Sequence, residues 1–453
     1  MGTNTDRQRE GERKPPLSKG DLSVTGPRES FELRKDNVGI PQHLSGKDPR
    51  PGRRGTLLGL LLALFPAPLL LGAPDPALRD PDYLRLVDAA FERMYNLQYE
   101  AAIATFSSLE ARYPSHPGPP LHAAGALWLQ ELFERQELDL SRFIAPGYFN
   151  KASDRKMQDS QRKAFFEDID RGRGFAEDIL SREPGNEDAR FFQGTAEALL
   201  AAFFYTVDRQ TLDAFGHAKK AYQQHRNLID QDPAYYDAYI SVGLYEYIVD
   251  NLRWYLKWPA KMIGYRGSEE RGIEYLEMAR SKGRSVTEEA SAMLMVIYFR
   301  ERRYREALAL ASHLRRRFPQ NFLFHLNQGQ ILDRMGRKQE AVETYSAVVA
   351  LAAQGRPGYG RLPLDTFRYP LGKRLRELGR TEMALRTFTE CVDDPRTPNR
   401  ERALCHLDAG VIADQRGRRD EAAQHYEAVL ALPQIEDSHQ QARRYLSRPR
   451  RGQ

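Results

Sequence analysis

One spacing of small and aromatic residues recurs three times near the C-terminal end of the chain. A glycine is followed seven residues later by a second glycine, five residues after that by an alanine, and four residues further on by a tyrosine or phenylalanine. The three copies occupy residues 327–345, 370–388 and 408–426. A recurring pattern of this kind predicts stacked structural units, each too small to bury its apolar face without its neighbours.

The residue types in this spacing fit a pair of antiparallel helices, A and B. The first glycine removes a side chain from helix A and the alanine leaves only a methyl group on helix B, so that the two backbones can approach closely. The second glycine suits the left-handed residue that ends a helix, and the aromatic ring is expected to fill the wedge between hairpins. The predicted packing residues are Gly329, Ala341, Gly372, Ala384, Gly410 and Ala422.

These positions resemble the tetratricopeptide repeat, and residues 287–435 read as regular repeats of that family. A degraded version of the pattern extends through residues 81–286, and no helix A carries the tryptophan of the family at the expected place. The array is therefore divergent. The resemblance implies an all-α fold, a right-handed α-solenoid of about eight tetratricopeptide-like helical hairpins.

The hairpins of residues 81–286 depart from the regular length. The distance between the small residues of helices A and B grows from 12 residues to 47 between Gly125 and Gly172, 27 between Gly194 and Ala221, and 29 between Gly243 and Gly272. We expect these to be long insertions between helix A and helix B. Such insertions emerge on one edge of a solenoid, where they would form a lip beside its groove.

The N-terminal part of the chain has a different composition. Residues 1–55 combine charged residues, glycine and proline without apolar periodicity, which predicts a disordered basic leader. Residues 56–73 are uncharged and rich in leucine, and they follow Arg50, Arg53 and Arg54. This order indicates a secretory signal, with an uncleaved membrane anchor or a buried helix as alternatives. We expect a periplasmic or membrane-anchored protein, or a cytoplasmic one if the segment is buried.

The positive charge lies at the two ends of the sequence. The net charge is +6, but residues 1–55 hold 12 Lys/Arg against 8 Asp/Glu, and the basic C-terminal tail of residues 436–453 has five arginines and no acidic residue after Ala442. Residues 56–442 are therefore slightly acidic. Nucleic-acid binding requires a basic stripe on the folded surface, so we expect no nucleic-acid partner.

The sequence contains no recognisable catalytic or nucleotide-binding motif, and we expect neither enzymatic activity nor a cofactor. His217 and His225 lie eight residues apart on one predicted helix, too far to share a metal ion. Two cysteines, Cys391 and Cys405, cannot form a disulfide scaffold or a four-cysteine zinc site. The favoured interpretation is two small apolar helix residues, and the alternative is one disulfide in an oxidising compartment.

Aromatic and basic residues are concentrated between Tyr245 and Arg266. This segment suggests a partner-binding surface, because tryptophan and tyrosine are frequent anchors in protein interfaces. The alternative is that the rings seal an irregular insertion against the helices. The predicted partner-binding residues are Tyr245, Tyr247, Trp254, Tyr255, Lys257, Trp258, Lys261 and, from the next hairpin, Phe299.

Some members of the resembled family hold a peptide C-terminus with a clamp of Lys, Asn and Arg side chains. Here Asn327 alone fits that clamp; the other groove positions carry Leu326, Gln330, Asp333, Lys373 and Arg376. The sequence therefore predicts a non-catalytic scaffold of the cell envelope that binds a protein or peptide. The alternatives are a small-ligand or glycan binder at the aromatic lip, an assembly subunit packed against other envelope proteins, and a cytosolic scaffold.

Overall fold

The structure is a computed structural model that describes residues 80–140, 155–251, 267–360 and 362–450. Those residues form 17 α-helices and contain no β-strand. Sixteen of the helices pair into eight consecutive hairpins, which confirms the predicted α-solenoid of about eight units. The predicted disordered leader (1–55) and the apolar segment (56–73) lie outside the described residues.

The first eight helices build hairpins 1–4, each hairpin pairing an odd-numbered helix A with the following helix B. They are α1 (Pro81–Tyr95), α2 (Tyr99–Arg112), α3 (Gly118–Glu134), α4 (Asp159–Arg182), α5 (Glu187–Thr206), α6 (Thr211–Gln231), α7 (Tyr239–Asp250) and α8 (Glu269–Lys282). A short 3₁₀ turn at Tyr236–Ala238 precedes α7.

The remaining helices build hairpins 5–8 and a last single helix. They are α9 (Thr287–Arg300), α10 (Tyr304–Arg317), α11 (Phe322–Arg334), α12 (Lys338–Ala353), α13 (Asp365–Glu377), α14 (Thr381–Asp393), α15 (Asn399–Gln415), α16 (Arg419–Ala431) and α17 (Ser438–Ser447). Helix α17 lies within the predicted basic tail and packs on hairpin 8, where Ala442 is fully buried.

The ends of helix A follow one backbone rule in both halves of the solenoid. After α11, α13 and α15, Gly336, Gly379 and Gly417 take φ angles of +73° to +75°, as the second glycine of the spacing predicts. After α11, the backbone N–H of Arg337 donates a hydrogen bond to the carbonyl oxygen of Leu332 at 3.0 Å. This bond satisfies one of the carbonyls that a helix end leaves free.

The first glycine of each regular repeat receives the aromatic ring of its own hairpin. A Cβ atom placed on Gly372 would lie 2.5 Å from a ring carbon of Phe388, and one on Gly410 would lie 2.6 Å from Tyr426. Gly329 meets the ring of Tyr345 in the same way. The ring was expected in the wedge between hairpins, whereas its closest packing is on helix A, four residues beyond the fully buried alanine of helix B.

The second of the three predicted insertions takes a different form in the structure. Residues 207–210 alone connect α5 to α6, and the extra length lies in the helices themselves, which have 20 and 21 residues. The other two connections run through residues 141–154 and 252–266, which lie outside the described residues.

Hairpins 1–5 close on themselves. Their inner helices are buried on nearly every side: all residues of α9 from Glu289 to Phe299 are buried, as are all those of α3 from Gly118 to Leu132. Helices that are buried all round lie inside a core rather than along an open groove. Trp128 of α3 ties hairpin 2 to hairpin 3, donating its indole N–H to the hydroxyl of Thr206 at 2.9 Å.

Hairpins 7 and 8 are joined covalently. Cys391 of α14 and Cys405 of α15 form a disulfide, with Cα atoms 6.5 Å apart and both side chains fully buried. The favoured interpretation of two unlinked helix residues was therefore wrong, because the packing of α14 against α15 brings together cysteines that lie 14 residues apart.

Candidate functional site

Three of the predicted partner-binding residues are buried. Tyr247 is 0% exposed and donates its hydroxyl hydrogen to Glu301 at 2.8 Å. Tyr245 is 7% exposed and stacks on Tyr222 with ring centroids 4.2 Å apart. Phe299 is 4% exposed. These three rings pack hairpins 3–5 together, which corrects the prediction that Tyr245, Tyr247 and Phe299 lie on an exposed partner-binding surface.

The other predicted partner-binding residues are Trp254, Tyr255, Lys257, Trp258 and Lys261. All five lie outside the described residues. Their assignment to a binding surface stays a prediction.

A long-range contact, which we call the seam, closes hairpins 1–5. It joins Tyr95, Asn96 and Gln98 of hairpin 1 to Gln320 and Asn321, which lie between hairpins 5 and 6. The side chain of Asn321 donates to the carbonyl of Tyr95 at 2.7 Å, and that of Gln98 donates to Gln320 at 2.8 Å. The backbone N–H of Gln320 donates to the side-chain oxygen of Asn96 at 3.1 Å.

Aromatic packing and a buried carboxyl complete the seam. The ring of Tyr95 lies 4.7 Å from that of Phe318. Glu289 of α9 is fully buried beside Tyr95, and burial raises the pKa of its carboxyl to about 8. Because burial disfavours the charged form of a carboxyl, Glu289 holds its proton at neutral pH in the folded chain.

An apolar groove lies next to the seam, between the C-terminal end of α3 and the N-terminal halves of α11 and α13. It encloses a cavity of about 210 Å³. Its lining residues are Phe133, Glu134, Gln136, Leu138, Asp139, Phe322, Leu323, Leu326, Pro363 and Thr366. A second, smaller depression shares Leu138 and Leu323 with it and continues along the seam past Tyr95 and Leu97.

One wall of the groove is held in place by buried ion pairs. Arg135 pairs with Glu131 at 2.5 Å, and Arg209 pairs with Glu137 at 2.6 Å, with all four side chains 10% exposed or less. Arg135 also donates to the carbonyl of Val207 at 3.2 Å. Breaking a buried pair leaves an uncompensated charge, which costs about 3–5 kcal/mol. The segment after α3 is therefore a firm wall rather than a loose loop.

Polar residues of α11 and α13 outside the lining of the groove bond within the chain. Gln330 donates to Asp139 at 2.9 Å, Arg374 pairs with Asp333 at 2.7 Å, and Arg376 pairs with Asp408. Three of the positions that were compared with a carboxylate clamp, Gln330, Asp333 and Arg376, thus bond within the chain.

A further repeat signal was missed in the sequence. The hydroxyl of Tyr345 donates to Asp333 at 3.1 Å, and that of Tyr426 donates to Asp414 at 3.0 Å. Each aspartate lies four residues after the first glycine of its repeat. In the middle repeat, where the ring is Phe388 and has no hydroxyl, the same position is Arg376. The coupled change of ring and partner could have been found by aligning the three copies.

An upstream hairpin uses histidine where the regular repeats use tyrosine or phenylalanine. His225 of α6 lies against Gly194 of α5 and stacks on Phe191 with centroids 4.8 Å apart. Burial lowers its pKa to about 4, so that the imidazole is neutral and packs like an aromatic ring. His217, on the same helix, lies 2.7 Å from Glu197.

The described residues contain no group of three or more side chains arranged to hold a metal ion. Across the same part of the chain, no helix is both long enough and apolar enough to cross a bilayer.

Comparison with known proteins agrees with the fold. A family model, the tetratricopeptide repeat, matches residues 294–356, which run from α9 to the turn after α12. The chain carries tetratricopeptide repeats, and helical hairpins continue on both sides of the matched segment. No curated protein matches the sequence.

Several solved helical structures are similar to the chain at low identity. The human IFIT1 dimer with m7Gppp-AAAA is 14% identical, over 80% of this chain and 84% of that one, with a TM-score of 0.36. Yeast Tom70 is 14% identical, over 81% and 82%, with a TM-score of 0.33. The P58(IPK) TPR domain is 17% identical, over 81% and 96%, with a TM-score of 0.22. Likeness at this level supports no conclusion about function.

Proposed function

We propose that the chain is a non-catalytic scaffold of the cell envelope that binds a protein or peptide partner in the apolar groove between α3, α11 and α13. The observation that carries the proposal is the groove itself, an apolar cavity with a firm wall on a repeat fold whose other inner surface is closed. Apolar pockets with a few polar groups at the rim are the usual form of binding sites. A partner segment with apolar side chains fits this lining.

Two observations support the envelope setting. A buried disulfide persists in an oxidising compartment and is rare in the cytosol, and Cys391 and Cys405 form one. The apolar segment 56–73 after three arginines has the order of an export signal. If it is cleaved, N-terminal sequencing of protein from the native host should begin close to Pro74. A cytosolic chain that retains residues 1–73 would contradict export.

The groove is tested by crosslinking and then by matched variants. A photoreactive amino acid at Thr366, at the groove, should crosslink the partner in the native host, and mass spectrometry would identify it. Leu138→Glu and Leu323→Glu place charges in the groove and should each weaken binding of the purified partner by at least about tenfold, as loss of an interface hot spot of about 2 kcal/mol does.

The matched control is Leu212→Glu on α6, where the side chain is 86% exposed and far along the sequence from the groove. It should leave partner binding unchanged. The thermal unfolding of all three variants is measured alongside, to separate binding from stability. Folded groove variants that bind the partner as tightly as the parent chain would overturn the proposal.

A further inference from the structure

Two histidines of hairpin 8 face each other across its helices. His406 lies on α15 and His425 on α16, and their Nδ1 atoms are 3.0 Å apart. Both side chains are half-buried, and the two helices that carry them pack closely, with the fully buried Ala422 three residues before His425. The pair is unrelated to the groove and to the histidine that packs as a ring in hairpin 3.

The distance between the two nitrogens fits a shared metal ion. Imidazole nitrogens bind Zn²⁺ at about 2.0–2.1 Å, so two of them on one ion, at angles between 90° and tetrahedral, lie about 2.9–3.4 Å apart. The observed 3.0 Å lies within this range. Without a metal, one Nδ1 must carry a proton and donate to the other, and a bound cation would take the place of that proton.

Two carboxylates near the pair attract a cation, and one arginine opposes it. Asp393, at the C-terminal end of α14, acts electrostatically on both rings, and Glu421 acts on His425. The nearby cation Arg402 directs its guanidinium to the carbonyls of Asp394, Pro395 and Thr397, at 3.0–3.2 Å. The adjacent disulfide between Cys391 and Cys405 fixes α14, which ends at Asp393, against α15, which carries His406.

We propose that His406 and His425 bind one divalent transition-metal cation, such as Zn²⁺ or Ni²⁺, through their Nδ1 atoms. The described residues supply these two imidazoles, and water would fill the remaining positions. Imidazole ligands suit Zn²⁺, Ni²⁺ and Cu²⁺ rather than Mg²⁺ or Ca²⁺. The proposal goes beyond partner binding and does not depend on it.

The experiment titrates the tag-free chain with Zn²⁺ in a calorimeter. The parent chain should bind one equivalent at this site, and His406→Gln or His425→Gln should each weaken that binding by at least about tenfold, since even groups that only orient a ligand are worth 10–100-fold. His217→Gln, which removes a histidine from hairpin 3, is the matched control and should bind like the parent. Mg²⁺ should not compete.

A second measurement uses the parent chain alone and so does not depend on whether the variants fold. Co²⁺ added to the parent chain should shift the ring proton signals of His406 and His425 before those of any other histidine. If folded variants bind Zn²⁺ as the parent does, or if Co²⁺ first shifts other histidines, the pair is a plain hydrogen bond between two imidazoles and the proposal is wrong.

Discussion

Hairpins 1–5 and hairpins 6–8 use the same helical unit in different ways. In hairpins 6–8, glycine follows each helix A at the left-handed position and an aromatic ring packs on the glycine of its own hairpin. In hairpins 1, 2, 3 and 5, the left-handed position is held by Leu97, Gln136, Arg209 and Arg302, at φ angles of +56° to +63°. The backbone turn is therefore conserved within the chain while the residue that suits it best is not.

The difference is compensated by long-range packing. Non-glycine residues in the left-handed region cost about 1–2 kcal/mol each, and hairpins 1–5 tolerate them because the seam closes those hairpins around buried helices. Hairpins 6–8 have no such closure in the described structure and rely on good local geometry and a disulfide. Substitutions in the two groups of hairpins should therefore change the stability of the chain in different ways.

Glu289→Gln tests the closed region through its pH dependence. The folded pKa of about 8 exceeds the ordinary value of 4.5, so the folded chain keeps a proton that the unfolded chain loses. Stability therefore falls as pH rises from about 4.5 to about 8. At pH 9 the variant should be more stable than the parent by several kcal/mol, at about 1.4 kcal/mol per pKa unit, and at pH 4 the two should agree.

Urea unfolding at both pH values measures this effect. Glu427→Gln, on the exposed side of α16, is the control and should not alter the pH dependence. Parallel stability curves for the parent and Glu289→Gln would mean that the buried carboxyl is not protonated at the seam.

Removal of the disulfide tests the open region. Cys391→Ala with Cys405→Ala should lower the stability of hairpins 7 and 8 by about 3 kcal/mol, the entropic value for a loop of about 15 residues. Hydrogen exchange should show the loss there and not in hairpins 1–5. Dithiothreitol should reproduce it in the parent chain and leave the double variant unchanged; a parent chain insensitive to reduction would show that the bond contributes nothing.

Overpacking compares the two regions at equivalent positions. Ala384 of hairpin 7 and Ala307 of hairpin 5 are both fully buried on helix B. Substitution of either by phenylalanine should cost about 1–3 kcal/mol, seen as a lower melting temperature. Met383→Phe, one residue away and 44% exposed, should cost far less. If Ala384→Phe melts like the parent, the repeat register proposed for hairpin 7 is wrong.

The smallest effect concerns the left-handed position itself. Nothing lies within 4 Å of a Cβ at Gly379, so Gly379→Ala should lose only the backbone preference, about 1 kcal/mol. Arg302→Gly, in the exposed turn after α9, relieves the same strain and should gain less than about 1 kcal/mol, because glycine also raises the entropy of the unfolded chain. Chemical denaturation measures both, and opposite signs are expected. If both substitutions change the free energy of unfolding in the same direction, the left-handed residue is not strained in hairpin 5 as proposed.

The sequence predicted the parts of the fold that depend on neighbours within one hairpin. The spacing of Gly372, Gly379 and Ala384 contains the close approach and the left-handed turn, because all three lie within 13 residues. The ring of Phe388 was expected between hairpins and packs on the glycine of its own hairpin instead. The count of hairpins followed from repeating that spacing. The longer spacing between Gly194 and Ala221 was interpreted as an insertion between α5 and α6, although two longer helices give the same spacing.

The placement of the candidate site could not be predicted in the same way. Tyr247 and Phe299 have residue types suited to a binding surface, and the packing of hairpins 3–5 against one another buries them. The wall of the groove after α3 meets α11, whose Gln330 bonds to Asp139 from 191 residues away. Neither the seam nor the wall leaves a periodic signal in the sequence.

The repeating helical unit, its small and aromatic residues, and the composition of the two ends of the chain can all be read from the sequence. The closure of the seam, the meeting of Cys391 with Cys405 and the contact of His406 with His425 arise only when the hairpins stack. These two groups of features differ in the distance along the chain over which they act. Local sterics act between residues a few turns apart, whereas burial depends on where the accumulated curvature of successive hairpins brings the solenoid back onto itself.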